Sequence, residues 1–217
     1  MEKFYPVLLK SNLFKHISLA DMPMLLDKVE PSIRYFSAGN RIWQAGDSAK
    51  EFGLVCAGKV QIVKENQRGN RMILALIEPA GIFGEAYAYA AAGTLPVSVD
   101  VVEDATVLFF RPVKLIAQAH LPQGPQLIQN MMQILATKSL MLNQKIEVLS
   151  QRKITDKVLT FLQLEQAKQH RNHLVIPYNR QEMADFLGVE RSALSTALGE
   201  MKKERLLDYH KNEFTLF

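Results

Sequence analysis

Cysteine is almost absent from this chain, in which Cys56 is the only one among 217 residues. A single thiol excludes an internal disulfide, a four-cysteine iron–sulfur cluster and a zinc ribbon. Cys56 stands in an apolar strand pattern, which favours a core position over a reactive one.

Long hydrophobic runs are missing as well, because no apolar stretch approaches the roughly 18 residues that a membrane helix needs. The first residues, Met1 to Pro6, lack the hydrophobic core of a signal peptide. With 48% hydrophobic and 22% charged residues, the chain has a globular composition and length enough for two domains. Its net charge of +4 permits nucleic-acid binding without demanding it. We expect a cytoplasmic protein without membrane contact.

Catalytic patterns are absent too. Glycine-rich Gly81–Gly84 lacks the Lys-Ser/Thr ending of a P-loop, and no nucleophile, base and acid stand at a recognisable spacing. The sequence therefore predicts neither an enzyme nor a bound cofactor.

The most informative stretch is residues 179–201, whose pattern predicts a helix-turn-helix. Asn179 is suited to cap a first helix, and Gly188 to supply the positive-φ residue where two helices meet at a steep angle. Apolar residues recur at helical spacing on both sides of that turn: Met183, Ala184, Leu187, Val189, Leu194, Leu198 and Met201. The alternative is an ordinary helical hairpin with a solvated polar face.

The second helix of this motif presents hydrogen-bonding side chains on its outer face. Arg191 lies near the amino end, where an arginine can pair bidentately with guanine in the major groove of DNA. We therefore predict that this helix reads double-stranded DNA with five residues: Glu190, Arg191, Ser192, Ser195 and Thr196.

Residues 33–111 predict short β-strands separated by turns, and the apolar stretch from Leu13 to Leu26 before them predicts a helix. The expected turns are Ala38-Gly39, Ala45-Gly46, Ala57-Gly58 and residues 67–71. Such regular spacing is typical of a compact antiparallel barrel or sandwich.

The segment from Pro122 to Ser150 has the spacing of a coiled coil. Alternating steps of four and three give an apolar seam that only one serine interrupts: Ile128, Met132, Leu135, Ser139, Leu142, Ile146 and Leu149. A homodimer is favoured because a helix-turn-helix commonly reads paired half-sites about one helical turn apart. The alternative is a single amphipathic helix that lies on its own barrel.

The last segment adds a helix through Val158 and Leu162 before the helix-turn-helix and two short strands around Lys211-Asn212 after it. This combination predicts a winged helix, joined to the preceding helix by a bend near Gln151. The expected domains are a β-rich domain, a dimerisation helix and a DNA-binding domain, at residues 1–121, 122–150 and 151–217.

This order of domains resembles the CRP/FNR family of bacterial transcription regulators over nearly the whole chain. Phe36-Ser-Ala-Gly39, Gly46-Asp47 and Ala57-Gly-Lys-Val60 resemble the turns of the cyclic-nucleotide-binding barrel, and Gly81-Ile-Phe-Gly-Glu-Ala86 resembles its phosphate-binding cassette. The resemblance implies an α+β fold with an antiparallel, jelly-roll-like double-stranded β-helix as the sensor, a long dimerisation helix and a C-terminal winged helix-turn-helix.

The resemblance also implies a homodimeric, sequence-specific transcription regulator on two-fold DNA, with RNA polymerase and a small-molecule effector as further partners. Arg180 and Gln181 fall where family members hold DNA phosphates. Thr196 stands where the best-known members often carry arginine, so their operator sequence does not transfer. The alternative function is a cyclic-nucleotide-binding module that regulates a protein partner.

The implied effector pocket departs from that of the cyclic-nucleotide binders, which hold the cyclic phosphate with an Arg-Ser or Arg-Thr pair. Leu95-Pro-Val-Ser98 occupies that region here. Because a buried phosphate needs a compensating charge or several donors, cyclic AMP is not the expected effector. His16 and His120 lie only at the edges of the sensor, which argues against heme. The pocket is assigned to Gly84, Glu85, Ala86, Pro96, Val97 and Ser98.

Overall fold

The computed structural model describes residues 1–65 and 71–217, which form two compact units, Met1–Ala136 and Thr137–Phe217. The described strands are β1 (Ser32–Phe36), β2 (Arg41–Trp43), β3 (Phe52–Glu65), β4 (Arg71–Ile77), β5 (Ile82–Phe83), β6 (Ser98–Phe110), β7 (His173–Val175), β8 (Leu207–His210) and β9 (Glu213–Leu216). The described α-helices are α1 (Tyr5–Leu8), α2 (Met22–Val29), α3 (Glu85–Tyr89), α4 (Pro112–Ala117), α5 (Gly124–Ser150), α6 (Ile154–Gln169), α7 (Arg180–Leu187) and α8 (Arg191–Lys203). None of these helices is long and apolar enough to cross a membrane.

The first unit is built on an antiparallel sheet whose two long strands, β3 and β6, pair with each other. Strands β1 and β2 add to β6, while β4 and β5 add to β3. Register shifts along β3 and β6 mark bulges, which bend both strands so that the sheet curves around its core. Together with the long helix α5 and the C-terminal winged helix-turn-helix, this architecture confirms the predicted fold class.

Two local predictions in this unit are wrong. Ala57-Gly58 is a bulge inside β3 instead of a turn, and Gly58 has φ +73°. A Cβ at Gly58 would lie 2.1 Å from the carbonyl oxygen of Asp104, so the close approach of β6 requires glycine there. The stretch from Leu13 to Leu26 is not one helix: it is α-helical only from Met22 onward, in α2, and the buried Leu13 lies in a separate 3₁₀ turn. The turn predicted at residues 67–71 lies outside the described residues, apart from Arg71 at the start of β4.

The amino-terminal part of α5 packs on the core of the first unit. Leu127 and Met131 are buried in that core, and Leu135 lies half-buried against it. The buried Asn130 side chain donates hydrogen bonds to the carbonyl oxygens of Leu13 (2.9 Å) and Lys15 (2.7 Å). These contacts attach the helix to the amino-terminal segment.

Cys56 is buried in the same core. Burial raises the pKa of its thiol to about 11, so little thiolate is present at neutral pH. This agrees with the predicted core role.

The second unit begins in the carboxy-terminal part of α5, where Val148 is buried in the core of that unit. The chain leaves α5 after Ser150 and enters α6 at Ile154, which confirms the predicted bend. Strands β8 and β9 form the predicted wing around Lys211-Asn212, and β7, which was not predicted, pairs with β9.

Candidate nucleic-acid interface and effector pocket

A reciprocal capping box fixes the start of α7. The side-chain oxygen of Asn179 accepts hydrogen bonds from the backbone N–H groups of Gln181 (2.9 Å) and Glu182 (3.0 Å). The Glu182 carboxylate in turn accepts one from the backbone N–H of Asn179 (2.7 Å). The backbone N–H groups of the first turn have no acceptor within the helix, and the capping box supplies one for two of them. The helix therefore begins at Arg180.

Removal of this cap should lower stability measurably. Asn179→Ala is expected to reduce the free energy of unfolding by about 1 kcal/mol, because two helix N–H groups lose their acceptor. Urea unfolding followed by circular dichroism measures the change. Asn143→Ala, on an exposed site within α5, is the matched control and should differ from wild type by less than about 0.5 kcal/mol.

The turn between α7 and α8 has the predicted geometry. Gly188 is left-handed, with φ 63° and ψ 46°, and the N–H of Val189 donates to the carbonyl oxygen of Ala184 at 3.0 Å. A Cβ at Gly188 would meet only Leu149 Cδ2, at an ordinary 3.4 Å. Backbone conformation and not lack of space therefore favours glycine here.

Helix α8 buries one face and exposes the other. Its buried residues are Leu194, Ala197, Leu198 and Met201. All five residues predicted to read DNA are exposed: Glu190, Arg191, Ser192, Ser195 and Thr196.

The exposed face of α8 keeps its hydrogen-bonding capacity. The hydroxyls of Ser195 and Thr196 donate back to the carbonyl oxygens of Arg191 (3.0 Å) and Ser192 (3.2 Å), which leaves their acceptor lone pairs available. Among the described residues, the Arg191 guanidinium has no hydrogen-bond or ion-pair partner. Its donors are therefore available to a ligand.

Arg180, in contrast, is held by the wing. Its guanidinium carbon lies 5.0 Å from the ring centroid of Tyr209 and 5.7 Å from that of Phe214, and Nη2 donates to the carbonyl oxygen of Lys211 at 3.3 Å. Burial, and to a smaller extent the charge of Arg191, lower the pKa of Arg180. An anion between the two arginines would relieve that repulsion. Gln181 is exposed beside Arg180.

Lys211, predicted from the sequence only as a turn residue, also belongs to this surface. It is exposed at the tip of the wing, with φ 54°, and borders a cleft of about 520 Å³. The cleft is lined by Pro177, Tyr178, Asn179, Arg180, Lys211 and Asn212. A cation in the two-residue connection of a predicted wing is the signal that would have identified it.

The residues assigned to the effector pocket lie on two segments of the first unit. Gly84, with φ 78°, precedes α3, where Glu85 is buried and Ala86 is exposed. Pro96 is exposed.

Val97 and Ser98 are buried at the start of β6. The Ser98 hydroxyl accepts a hydrogen bond from the backbone N–H of Ala45 at 3.0 Å. Ser98 is the one polar side chain in the region of the missing Arg-Ser pair, and its hydroxyl carries no charge.

Two domain-family models match the sequence and identify the family of this chain. Residues 33–119 match the model of the cyclic nucleotide-binding domain, and residues 156–216 match that of the Crp-like helix-turn-helix domain. The chain belongs to the CRP/FNR family. It is thus a DNA-binding transcription regulator with a cyclic-nucleotide-binding-like sensor domain, as the sequence predicted.

Individual proteins similar to this chain align with most of its length. The global nitrogen regulator of Synechococcus elongatus is 24% identical over 88% of this chain and 87% of its own length. The catabolite activator protein of Thermus thermophilus has a TM-score of 0.59 and 22% identity, covering 95% and 94% of the two chains. CprK in complex with OCPA has a TM-score of 0.65 and 16% identity, covering 89% and 90%. At these identities the two structures support the fold.

Proposed function

We propose that the protein acts as a homodimer that reads a two-fold operator with α8. The observation that carries the proposal is the exposed polar face of α8, on which the Arg191 guanidinium has no partner within residues 1–65 and 71–217, while the opposite face is buried. Arg191, Ser192, Ser195 and Thr196 contact base edges, and Glu190 lies beside them at the start of the helix. Arg180 and Gln181 contact the phosphate backbone, with Lys211 of the wing as an added cation.

The sensor comprises residues 1–121, the dimerisation helix residues 122–150 and the DNA-binding domain residues 151–217. Aliphatic side chains exposed on α5, including Leu142 and Ile146, support a helix pair as the dimer contact. We place the protein in the cytoplasm, with RNA polymerase as its further partner.

Selection of duplexes from a random pool tests this function directly. The enriched sequences should contain two inverted half-sites whose centres are about one helical turn apart, because a two-fold dimer presents two copies of α8. Gel shift with an enriched duplex and with a scrambled one then gives the specificity ratio. Failure to enrich any sequence, with folded dimeric protein, would contradict the proposal.

Cyclic AMP should neither bind tightly nor change DNA affinity. Pro96 and Val97 offer no donor side chains, and Ser98 offers one hydroxyl without a charge, so the cyclic phosphate would lack the charged partner that an arginine provides. A missing charge-assisted partner costs several kcal/mol, which corresponds to orders of magnitude in affinity. Isothermal calorimetry measures this, and a dissociation constant in the low micromolar range would refute the expectation.

A further inference from the structure

The first unit contains the only tryptophan of the chain, Trp43, on strand β2. Its side chain is 7% exposed, and its ring centroid lies 5.1 Å from that of Phe83 and 5.5 Å from that of Phe109. In the pairing of β2 with β6, Trp43 lies opposite Val99, the residue that follows Ser98. Trp43 is therefore adjacent to one of the two segments of the candidate effector pocket.

The other pocket segment touches the indole itself. A Cβ built on Gly84 would lie 2.6 Å from Cζ3 of Trp43, so the ring rests directly on the glycine backbone. Gly84 opens α3, which carries Glu85 and Ala86. The indole thus stands between the two segments that were assigned to the effector.

The space around the indole is filled by apolar side chains. Trp43 shares a buried cluster with Val60, Leu95, Val99 and Val101, among others. Protein interiors are packed about as densely as organic crystals, so a ligand placed against Gly84 would have to displace the ring.

We propose that Trp43 fills the inner part of the effector pocket with the protein's own side chain, so that DNA binding requires no small molecule there. The proposal rests on the DNA-binding function proposed above and adds how that function is regulated. An indole ring is about the size of a nucleobase, and its burial stabilises the sensor in the way a bound ligand would.

The first test removes every small molecule from the wild-type protein. One portion is purified natively, and a second is unfolded in guanidinium, dialysed and refolded. Both portions should have the same thermal midpoint, which shows that refolding is complete, and their dissociation constants for the selected duplex should then agree within about two-fold.

The fluorescence of Trp43 is a second measurement in the wild-type protein. Because Trp43 is the sole tryptophan, its emission reports on this pocket, and a small-molecule extract of cells should not shift that emission. A tenfold loss of affinity in refolded protein, or an emission shift with extract, would overturn the proposal.

The second test opens the pocket. Trp43→Ala should lower the thermal midpoint by roughly 6–20 °C, and millimolar indole should raise it again by several degrees, because the probe refills the cavity. Trp43→Leu serves if the alanine variant does not fold. The matched control is Leu54→Ala, a fully buried site in the other core cluster of this unit, whose smaller cavity should show no response to indole. A shift below 2 °C in both Trp43 variants, or an equal indole response in wild type, would count against the assignment.

The two proposals fail in different ways. If the natively purified protein binds no selected duplex, the DNA-binding function is refuted, while the indole experiment still tests the filling of the pocket. If native protein binds DNA and refolded protein does not, the function stands and the role of Trp43 is refuted.

Discussion

The double substitution Leu142→Glu with Ile146→Glu is expected to convert the protein to monomers that bind operator DNA poorly. These side chains are 63% and 64% exposed in the single chain although both are aliphatic, and they lie one helical turn apart on the predicted seam of α5. Burial of each contributes about 1.5–3 kcal/mol, and a two-fold pair contains four of them. Loss of even half that stabilisation, about 3–6 kcal/mol, weakens dimerisation by about a hundredfold or more.

Light scattering at micromolar protein measures the change in mass, and gel shift with the selected duplex measures the loss of binding. Gln133→Glu combined with Thr137→Glu is the matched control, since it adds the same charge at exposed sites of the same helix that face away from the seam. The control should remain dimeric. Leu135 is not used, because it lies half-buried against the core of the first unit and its substitution would also destabilise the sensor. A wild-type protein that is monomeric with and without DNA would contradict the prediction.

The helix-turn-helix could be predicted from the sequence because its determinants are local. The Asn179 cap, the left-handed Gly188 and the apolar spacing of α8 all act within a few residues, and the structure has each of them. The two strands of the wing follow from a short connection between apolar segments in the same way. Local rules of this kind need no knowledge of distant partners.

Features that depend on distant partners could not be predicted in the same way. The bulge at Gly58 exists because the backbone of Asp104 approaches it from a strand more than forty residues away. The contact of the Trp43 ring with Gly84 likewise joins two segments about forty residues apart. These arrangements follow from how β2, β3 and β6 fold onto one another, which periodicity does not encode.

The anchoring of Arg180 likewise depends on the wing, which folds back over α7 from about thirty residues further along the chain. From the sequence, Arg180 could be assigned to phosphate contact only by resemblance. The structure adds that the same guanidinium packs on Tyr209 and Phe214, so its removal affects the wing as well as the DNA.

Alanine at Arg191 and at Arg180 should therefore impair DNA binding in different ways. Arg191→Ala is expected to lose roughly 1–3 kcal/mol on the selected operator and to relax preference at one base pair in each half-site, because a bidentate base contact disappears. Arg180→Ala should weaken operator and scrambled duplex about equally and reduce the salt dependence by about one phosphate contact per protomer. It should also lower the free energy of unfolding by about 1–2 kcal/mol, since the stacking on two rings and the bond to Lys211 are lost.

Lysine variants separate charge from geometry at both positions. Arg191→Lys should keep the salt dependence but lose much of the specificity, because an ammonium cannot form the planar two-donor contact. Arg180→Lys should keep the affinity for scrambled duplex yet remain less stable than wild type, because an ammonium group cannot stack on Tyr209 as a guanidinium does.

Titrations on both duplexes at several salt concentrations, together with urea unfolding, measure all four variants. Equal losses on operator and scrambled duplex for Arg191→Ala would show that Arg191 contacts only phosphate, and base reading would then fall to Ser192, Ser195 and Thr196.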